Sequence, residues 1–491
     1  MPDSIRRPTS GFGLFWLLCA ILGLRLLTMT VLPMSDTTEP RYAETARLMA
    51  ERGDWITPWF TPEIPFWGKP PLSFWAQAAS LKLFGVHDFA ARLPSWLAMI
   101  GILWLTLRLA RQQGSERLAW WSGLVLASMA LPFVSAGAVL TDPFLAFGTT
   151  LSLVSLALAV RGRPIPWGWL FFVGLAIGLL AKGPLALVLV GLPGSIWLLC
   201  SGSWRRALAA LPWKGGSLLV AALVLPWYVA AELKTPGFLD YFLVGEHFRR
   251  FVDPGWAGDL YGNAHHQPYG TIWLFLLWAS FPWGIAGLAL LVHRLCSQTG
   301  RARLREALAD EDVRLLLVAG LAPAVFFSVA GNILWTYLLP GLPFLAILIA
   351  RGLQPLLDAT SVRRTALALA LVLAVPLTLS AAGVHLALHP YKLKSAAPLI
   401  AALEILPGGS VERLYYLDDM PFSARYYSRD AARRIKRTDL LPMLAQATEP
   451  LFVAVRRRDQ EWLEQAAAHR LTVRFRGAQH ILLQYNPPTP H

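Results

Sequence analysis

"GFGLFWLLCAILGLRLLTMTVLPMSDTTEPRYAETARLMAERGDW", residues 11–55, decides how the chain is read. Its first half is a predominantly apolar run, with Arg25 its one charge, of the length that spans a bilayer core. Its second half is charged, led by Asp36, Glu39 and Arg41. Apolar runs of about 20 residues then recur as far as residue 387. The whole chain has 491 residues, 55% hydrophobic and only 15% charged, so a polytopic helical membrane protein is expected rather than a soluble one. The apolar run following Arg6 and Arg7 reads as an uncleaved anchor, because so many spans follow it.

Eleven spans are expected, over 11–33, 90–110, 118–138, 142–160, 166–181, 183–201, 215–231, 270–293, 313–330, 336–351 and 364–386. The fifth, sixth and tenth are short. The net charge of +14 does not point to nucleic acid, because many of the basic residues sit in connectors. With a cytoplasmic N-terminus, each inside connector is basic, from Arg6 and Arg7 to Arg351, Arg363 and Arg364. The outside then receives the loops 34–89 and 232–269, short turns near residues 139–142, 182 and 331–335, and the tail. The three cysteines lie in or beside spans, so no disulfide framework or cysteine-based zinc site is expected.

Within 34–89, Thr38 is expected to cap a helix that starts with Pro40 and stops at Gly53. Ala43, Ala46, Leu48 and Met49 give it an apolar flank, and Arg41, Glu44, Arg47 and Glu51 are expected to stay wet. That pattern predicts an interfacial helix lying on the membrane, with Asp36 and Glu39 at its positive end. "PFWGKPPLSFW", residues 65–75, follows; its prolines stiffen the backbone around Lys69 and present that ammonium at headgroup depth. "AVLTDPFLAF" places Asp142 at a span start, and "LLAKGPLAL" places Lys182 at a break between spans. Ionisable groups at membrane depth are costly and are usually functional or paired. The loop 232–269 carries "GFLDYFLVGEHFRRFVD" with Glu246, His247, Arg249 and Arg250, and "WTYLLPGLP" brings Tyr337 to a span mouth.

Plainer roles exist for each residue. Asp36 and Asp142 can serve as helix caps, Lys182 can snorkel, His247 can be a satisfied interfacial histidine, and Arg249 and Arg250 can hold lipid headgroups. What favours function is that the acids and bases fall on one predicted side.

"SDTTEPRYAETARLMAERGDWITPWF" followed by "KPPLSFWAQAASLKLFGVHDFAARLPS" resembles the polyprenyl-phosphate-sugar-dependent glycosyltransferases of the GT-C fold. The likeness is nearest to bacterial aminoarabinose (lipid A) transferases and protein mannosyltransferase-like proteins. "LTDPFLAF", "LLAKGPLALVL", "PWYVAAELKTPGFLDYFLVGEHFRRF", "FFSVAGNILWTYLLPGLP" and "DDMPFSARYYSRD" extend it in order over most of the chain. The resemblance implies a GT-C membrane domain over 1–387, with about 11–13 transmembrane helices, and a small periplasmic α/β domain over 388–491. It implies a glycosyltransferase of the bacterial inner membrane, moving a hexosyl or pentosyl group from an undecaprenyl-phosphate carrier. The acceptor, on the periplasmic face, would be lipid A, another glycan or a protein.

Asp36 and Asp142 match the family's acids, Lys69-Pro70-Pro71 its Lys-Pro-Pro, and His247 its loop histidine. Arg41, Lys69, Lys182, Arg249 and Tyr337 are then expected at the donor phosphate, and Glu39, Tyr42 and His247 at substrate. Two positions depart from the pattern. Gly68 stands where the family carries a glutamate associated with a metal site, which leaves a divalent metal at His247 open. "GNILW", residues 331–335, replaces a lysine-rich stretch before Tyr337. A lipid-linked-sugar transporter or flippase is the alternative from another class, and a surface-polysaccharide polymerase or ligase the nearer one. In the tail, "RLYYLD", "LFVAVR", "LTVRFRG" and "HILLQY" read as strands and 459–469 as a helix, with no catalytic constellation.

Overall fold

The computed structural model describes residues 11–487 except 164, 254, 255, 257, 263–265, 358–360, 468 and 469, so Arg6 and Arg7 lie outside it. The first nine helices are α1 (Gly11–Val31), α2 (Thr38–Arg52), α3 (Leu72–Phe84), α4 (Asp88–Gln113), α5 (Glu116–Ser128), α6 (Ala130–Ser135), α7 (Asp142–Val160), α8 (Pro166–Lys182) and α9 (Leu185–Cys200). Five longer helical segments complete the membrane domain: Trp213–Lys234, Thr271–Ala279 with Trp283–Leu295, Glu311–Phe327, Leu342–Leu357 and Val362–Leu388. Each of the eleven expected segments is therefore helical. Among the described residues, six helices are long and apolar enough to cross a membrane, seven if the bent pair counts as one. The tenth segment is longer than expected, because the 3-10 turn Trp335–Gly341 precedes its helix and the two reach 23 residues.

Two expected spans are broken. Pro132 cannot donate to Ser128 and its ring would crowd that carbonyl, so the chain turns extended at Met129 between α5 and α6. The other break, at residues 280–282, bends its pair by 111°. The two breaks satisfy each other: Ala130 N–H donates to the Phe281 carbonyl at 3.0 Å, and Trp283 Nε1 to Ser128 Oγ at 2.8 Å. Exposed backbone at this depth would otherwise be costly. Helices α7 and α8 approach backbone to backbone, and a Cβ on Gly148 would meet Gly178 N at 2.6 Å and Gly174 O at 2.7 Å.

Helix α2 corrects the sequence-based picture. It ends as expected, with Gly53 left-handed at φ 68° and its N–H bonded to the Met49 carbonyl. Its cap position is Thr37, and no side chain caps it. Its expected wet face is covered: Glu44 and Arg47 are buried and paired at 2.6 Å, and only Glu51 remains exposed. The cover is a helix of the C-terminal domain, Phe422–Ser428, packed on α2 from outside. The sequence offered no pattern for that contact, since it joins residues nearly 400 apart.

The C-terminal domain is a five-stranded sheet, β1 (Leu414–Leu417), β2 (Arg433–Ile435), β3 (Leu451–Arg456), β4 (Leu471–Arg476) and β5 (His480–Tyr485), in the order β2-β1-β3-β5-β4. β2, β1 and β3 run parallel; β5 and β4 are antiparallel additions. Side chains alternate across a strand, and here both faces are buried. Phe452 and Ala454 pack with Leu399, Leu403 and Leu482, whereas Val453 and Val455 pack with Leu440, Leu463 and Leu483. Four strands and the helix Gln460–Ala466 match expectation, residues 468 and 469 lying outside the described residues. The short, charged β2 had no alternation to show it.

Candidate functional site

A cavity of about 220 Å³ opens where four separate stretches of chain meet. Lys69 enters from the proline-stiffened turn, Lys182 from the end of α8, Glu246, His247 and Arg250 from the second loop, and Tyr337 from the 3-10 turn. Pro184, Leu185, Val188, Phe251, Phe326 and Phe327 form its apolar wall. A polar head beside an apolar flank is the shape of a site for a charged group on a greasy chain.

The turn carrying Lys69 is held from both sides. Tyr261 accepts from the Trp67 N–H at 2.9 Å and donates to the Pro65 carbonyl at 2.7 Å, while Trp67 Nε1 donates to Thr235 at 3.1 Å. Lys69 Nζ then lies 3.4 Å from Glu246, whose carboxylate also receives Arg250 at 2.9 Å. Residues Asp240–Arg249 form a π-helix, a geometry that recurs at functional sites. The second loop is tied to the connector before Tyr337 by the Gln267 N–H, which donates to the Gly331 carbonyl at 2.7 Å. Burial would raise the Glu246 carboxyl, but the Lys69 and Arg250 charges outweigh it and hold Glu246 below the usual range.

Lys182 ion-pairs with Asp142 at 2.7 Å and stands 4.8 Å from the centre of the Tyr337 ring. Both partners are buried, so each charge is neutralised by the other. His247 faces the Lys182 carbonyl with Nε2, at 3.0 Å, and the Phe242 carbonyl with Nδ1, at 2.7 Å. Burial holds its imidazole below the ordinary value.

This donor set does not fit a metal ion. His247 has turned both nitrogens to backbone carbonyls, and Glu246 is committed to two cations. A Cβ on Gly68 would meet the Phe66 ring at 3.0 Å and Tyr261 at 3.4 Å, so aromatic rings fill the space a glutamate there would need. Among the described residues, no three His, Cys, Asp or Glu side chains stand close enough to hold a metal.

The other expected residues gather on the α2 side and do not line the cavity. Both Glu39 oxygens take the Arg92 guanidinium, at 2.6 and 2.9 Å, and Oε1 also accepts the Val139 N–H. Arg41 donates to the Tyr261 carbonyl at 2.7 Å and lies against the Tyr42 and Phe422 rings, while its buried Nε has no partner. Tyr42 packs on Phe66 and Phe74 within electrostatic reach of Lys182. Asp36 sits at the junction of the two domains, with both oxygens bonded to Ser423. Burial raises its carboxyl above the ordinary value, against the lowering effect of those bonds.

Arg249 is exposed and off the cavity, and Arg250 occupies the place expected of it. Neighbouring arginines in a helix point to different sides, so sequence cannot choose between them without the helix phase. Glu246 could have been found from its spacing to Arg250, a favourable i,i+4 pair.

A family model described as "Dolichyl-phosphate-mannose-protein mannosyltransferase" matches residues 12–242. An undecaprenyl phosphate-alpha-4-amino-4-deoxy-L-arabinose arabinosyl transferase of Shewanella sediminis is 30% identical over 68% of this chain and 60% of its own length. The namesake protein of Erwinia tasmaniensis is 30% identical over 78% of this chain and 67% of its own. This chain thus spans about three-fifths of the length of the first of these relatives. The crystal structure of ArnT from Cupriavidus metallidurans bound to undecaprenyl phosphate superposes with a TM-score of 0.71 at 17% identity, covering 97% of this chain and 98% of that one.

Proposed function

Because the chain belongs to the family of the undecaprenyl phosphate-aminoarabinose arabinosyl transferases and shares the GT-C membrane fold, we propose that it moves a sugar from an undecaprenyl-phosphate carrier to an envelope acceptor. The sugar is a pentose of the aminoarabinose kind, and the acceptor is lipid A or a related glycoconjugate. The observation that carries the reading is the cavity itself. Three cations converge at its head, and its wall is apolar enough to take the first units of a polyprenyl chain.

The acceptor oxygen attacks the anomeric carbon, and the bond from that carbon to the phosphate oxygen breaks. The electron pair leaves with undecaprenyl phosphate, so negative charge grows on the phosphate in the transition state. Cations already in place lower that barrier without reorganising. Lys69 and Arg250 form the clamp, since their shared partner Glu246 can yield one of them to the donor. Lys182, paired with Asp142 and facing the Tyr337 ring, adds a fixed dipole to the head rather than a free positive charge. Asp36 takes the proton of an acceptor hydroxyl; with an acceptor phosphate, already anionic, it stabilises positive charge on the sugar instead. Arg41 and Tyr42 line the acceptor's approach from the α2 side. The basic connectors orient the chain with its N-terminus in the cytoplasm, so that the cavity and the C-terminal domain face the periplasm.

The test is transfer from radiolabelled lipid-linked sugar in membranes holding the full chain. Asp36→Asn is expected to lower the rate by about 10²–10⁴-fold, the range for a general base, and Lys69→Ala to lower it comparably. Near-normal transfer by both variants would overturn the assignment, and donor movement without transfer would favour transport.

A further inference from the structure

Where the C-terminal domain packs on the first loop, the fully buried Ser423 meets Asp36. The Ser423 backbone N–H donates to Asp36 Oδ1 at 2.9 Å and its hydroxyl to Asp36 Oδ2 at 2.5 Å. The same Oγ accepts the Ala396 N–H at 2.9 Å, which leaves its single proton free to point at the carboxylate. Further bonds hold the junction around this pair. The Asp36 N–H donates to the Lys394 carbonyl at 2.8 Å, and the Met34 N–H to the Tyr427 hydroxyl at 2.7 Å. Tyr427 in turn donates to Asp88, at the start of α4, at 2.8 Å. Phe422, beside Ser423, packs on Phe60 and under Arg41.

We propose that Ser423 is a positioning residue for Asp36, so that the C-terminal domain completes the reaction centre and does not simply cover it. The proposal rests on the reading of Asp36 as base. Two donors from one residue fix both carboxylate oxygens and so fix the plane of the group. Each oxygen keeps a further lone pair for a substrate proton. The groups facing Asp36 from the packed elements are Asp419 and Tyr416 of the C-terminal domain. On α2, the nearby Glu39 is neutralised by Arg92. Neither neighbour bonds Asp36 as Ser423 does: Asp419 repels the carboxylate charge, and the Tyr416 hydroxyl makes no hydrogen bond to it.

The experiment measures transfer per folded full-length protein against pH. Ser423→Ala is expected to lower kcat roughly 10- to 100-fold, the loss for a hydrogen bond to a charged group, with donor KM unchanged. It also moves the acid limb of the pH–rate profile upward, because the lost bond favoured the ionised carboxylate. Ser423→Thr, which keeps the hydroxyl, retains the wild-type limb. In an Asp36→Asn background, Ser423→Ala costs nothing further. An unmoved limb in Ser423→Ala, or additive losses in the double variant, overturns the positioning role. Intact transfer by Asp36→Asn alone would instead overturn the base assignment, and the two failures are told apart by which variant shows them.

Discussion

Arg92→Ala tests the claim that Glu39 is a strut and not a substrate ligand. The Arg92 side chain is buried and makes four hydrogen bonds: two to Glu39, one to the Met29 carbonyl at 2.7 Å and one to the Leu32 carbonyl at 2.6 Å. Those carbonyls lie at the end of α1, where helix geometry leaves the last C=O groups without partners. One guanidinium therefore ties the end of α1 and the start of α2 to the N-terminal part of α4. Removing it leaves a largely buried carboxylate unpaired and strips two carbonyls. Breaking a buried pair from one side costs about 3–5 kcal/mol. Spread over a chain of this size, at about 2.1 cal/mol/K per residue, that lowers the melting temperature by about 3–5 °C. Thermal unfolding in detergent, followed by tryptophan fluorescence, reads the shift. Glu39→Gln keeps the shape but loses the charge, and is expected to destabilise less while leaving the donor KM unchanged. Unchanged melting in Arg92→Ala, together with a tenfold rise in donor KM for Glu39→Gln, would refute the strut and restore Glu39 to the substrate.

Glu246→Gln removes the carboxylate shared by Lys69 and Arg250, and is expected to tighten binding of undecaprenyl phosphate on the order of tenfold, with slower turnover as product is retained. Product-inhibition assays check this, and weaker binding would count against the clamp. His480, buried in the sheet, has its pKa lowered from 6.5 to about 4, first by burial. The folded state therefore holds it neutral while the unfolded chain takes a proton near pH 6.5, so stability is present above that pH and is lost as pH falls toward 4. The full loss is on the order of 3 kcal/mol, and melting curves at pH 7.5 and 5 should show a smaller difference in His480→Gln than in wild type.

Much of the fold was legible because a membrane leaves few choices. Apolar runs of spanning length mark the helices at 11–31 and 362–388 without reference to anything else. The breaks at Met129 and at residues 280–282 were harder, since each is stable only because the other satisfies its backbone. The candidate site divided in the same way. Lys69, Asp142, Lys182, His247 and Tyr337 stood out because charge or a phenol at a span mouth is costly unless used. That Lys182 pairs with Asp142, and that Arg250 and not Arg249 turns inward, depended on helix phase and on contacts across 40 residues or more. Glu44 and Arg47 were misjudged as wet for a related reason. Amphipathicity reports which face avoids water only if nothing later in the chain covers the other face.

The pairing of every cation in the cavity has a consequence for how the site works. Lys69, Lys182 and Arg250 unpaired in a cavity with an apolar wall would be expensive to hold without substrate. Glu246 and Asp142 relieve that cost, but in different ways. The Asp142–Lys182 pair is short, buried and closed off by Tyr337, so it persists as a fixed dipole. Glu246 is shared, with Lys69 at 3.4 Å and Arg250 at 2.9 Å, so the longer contact can be surrendered while the shorter one keeps the carboxylate neutralised. On the proposed function, a phosphate entering the head would exchange one partner of Lys69 for another, without the full desolvation of a bare ammonium. Such an exchange would bind the anion only as strongly as it outcompetes Glu246, as release of the proposed carrier after each transfer requires.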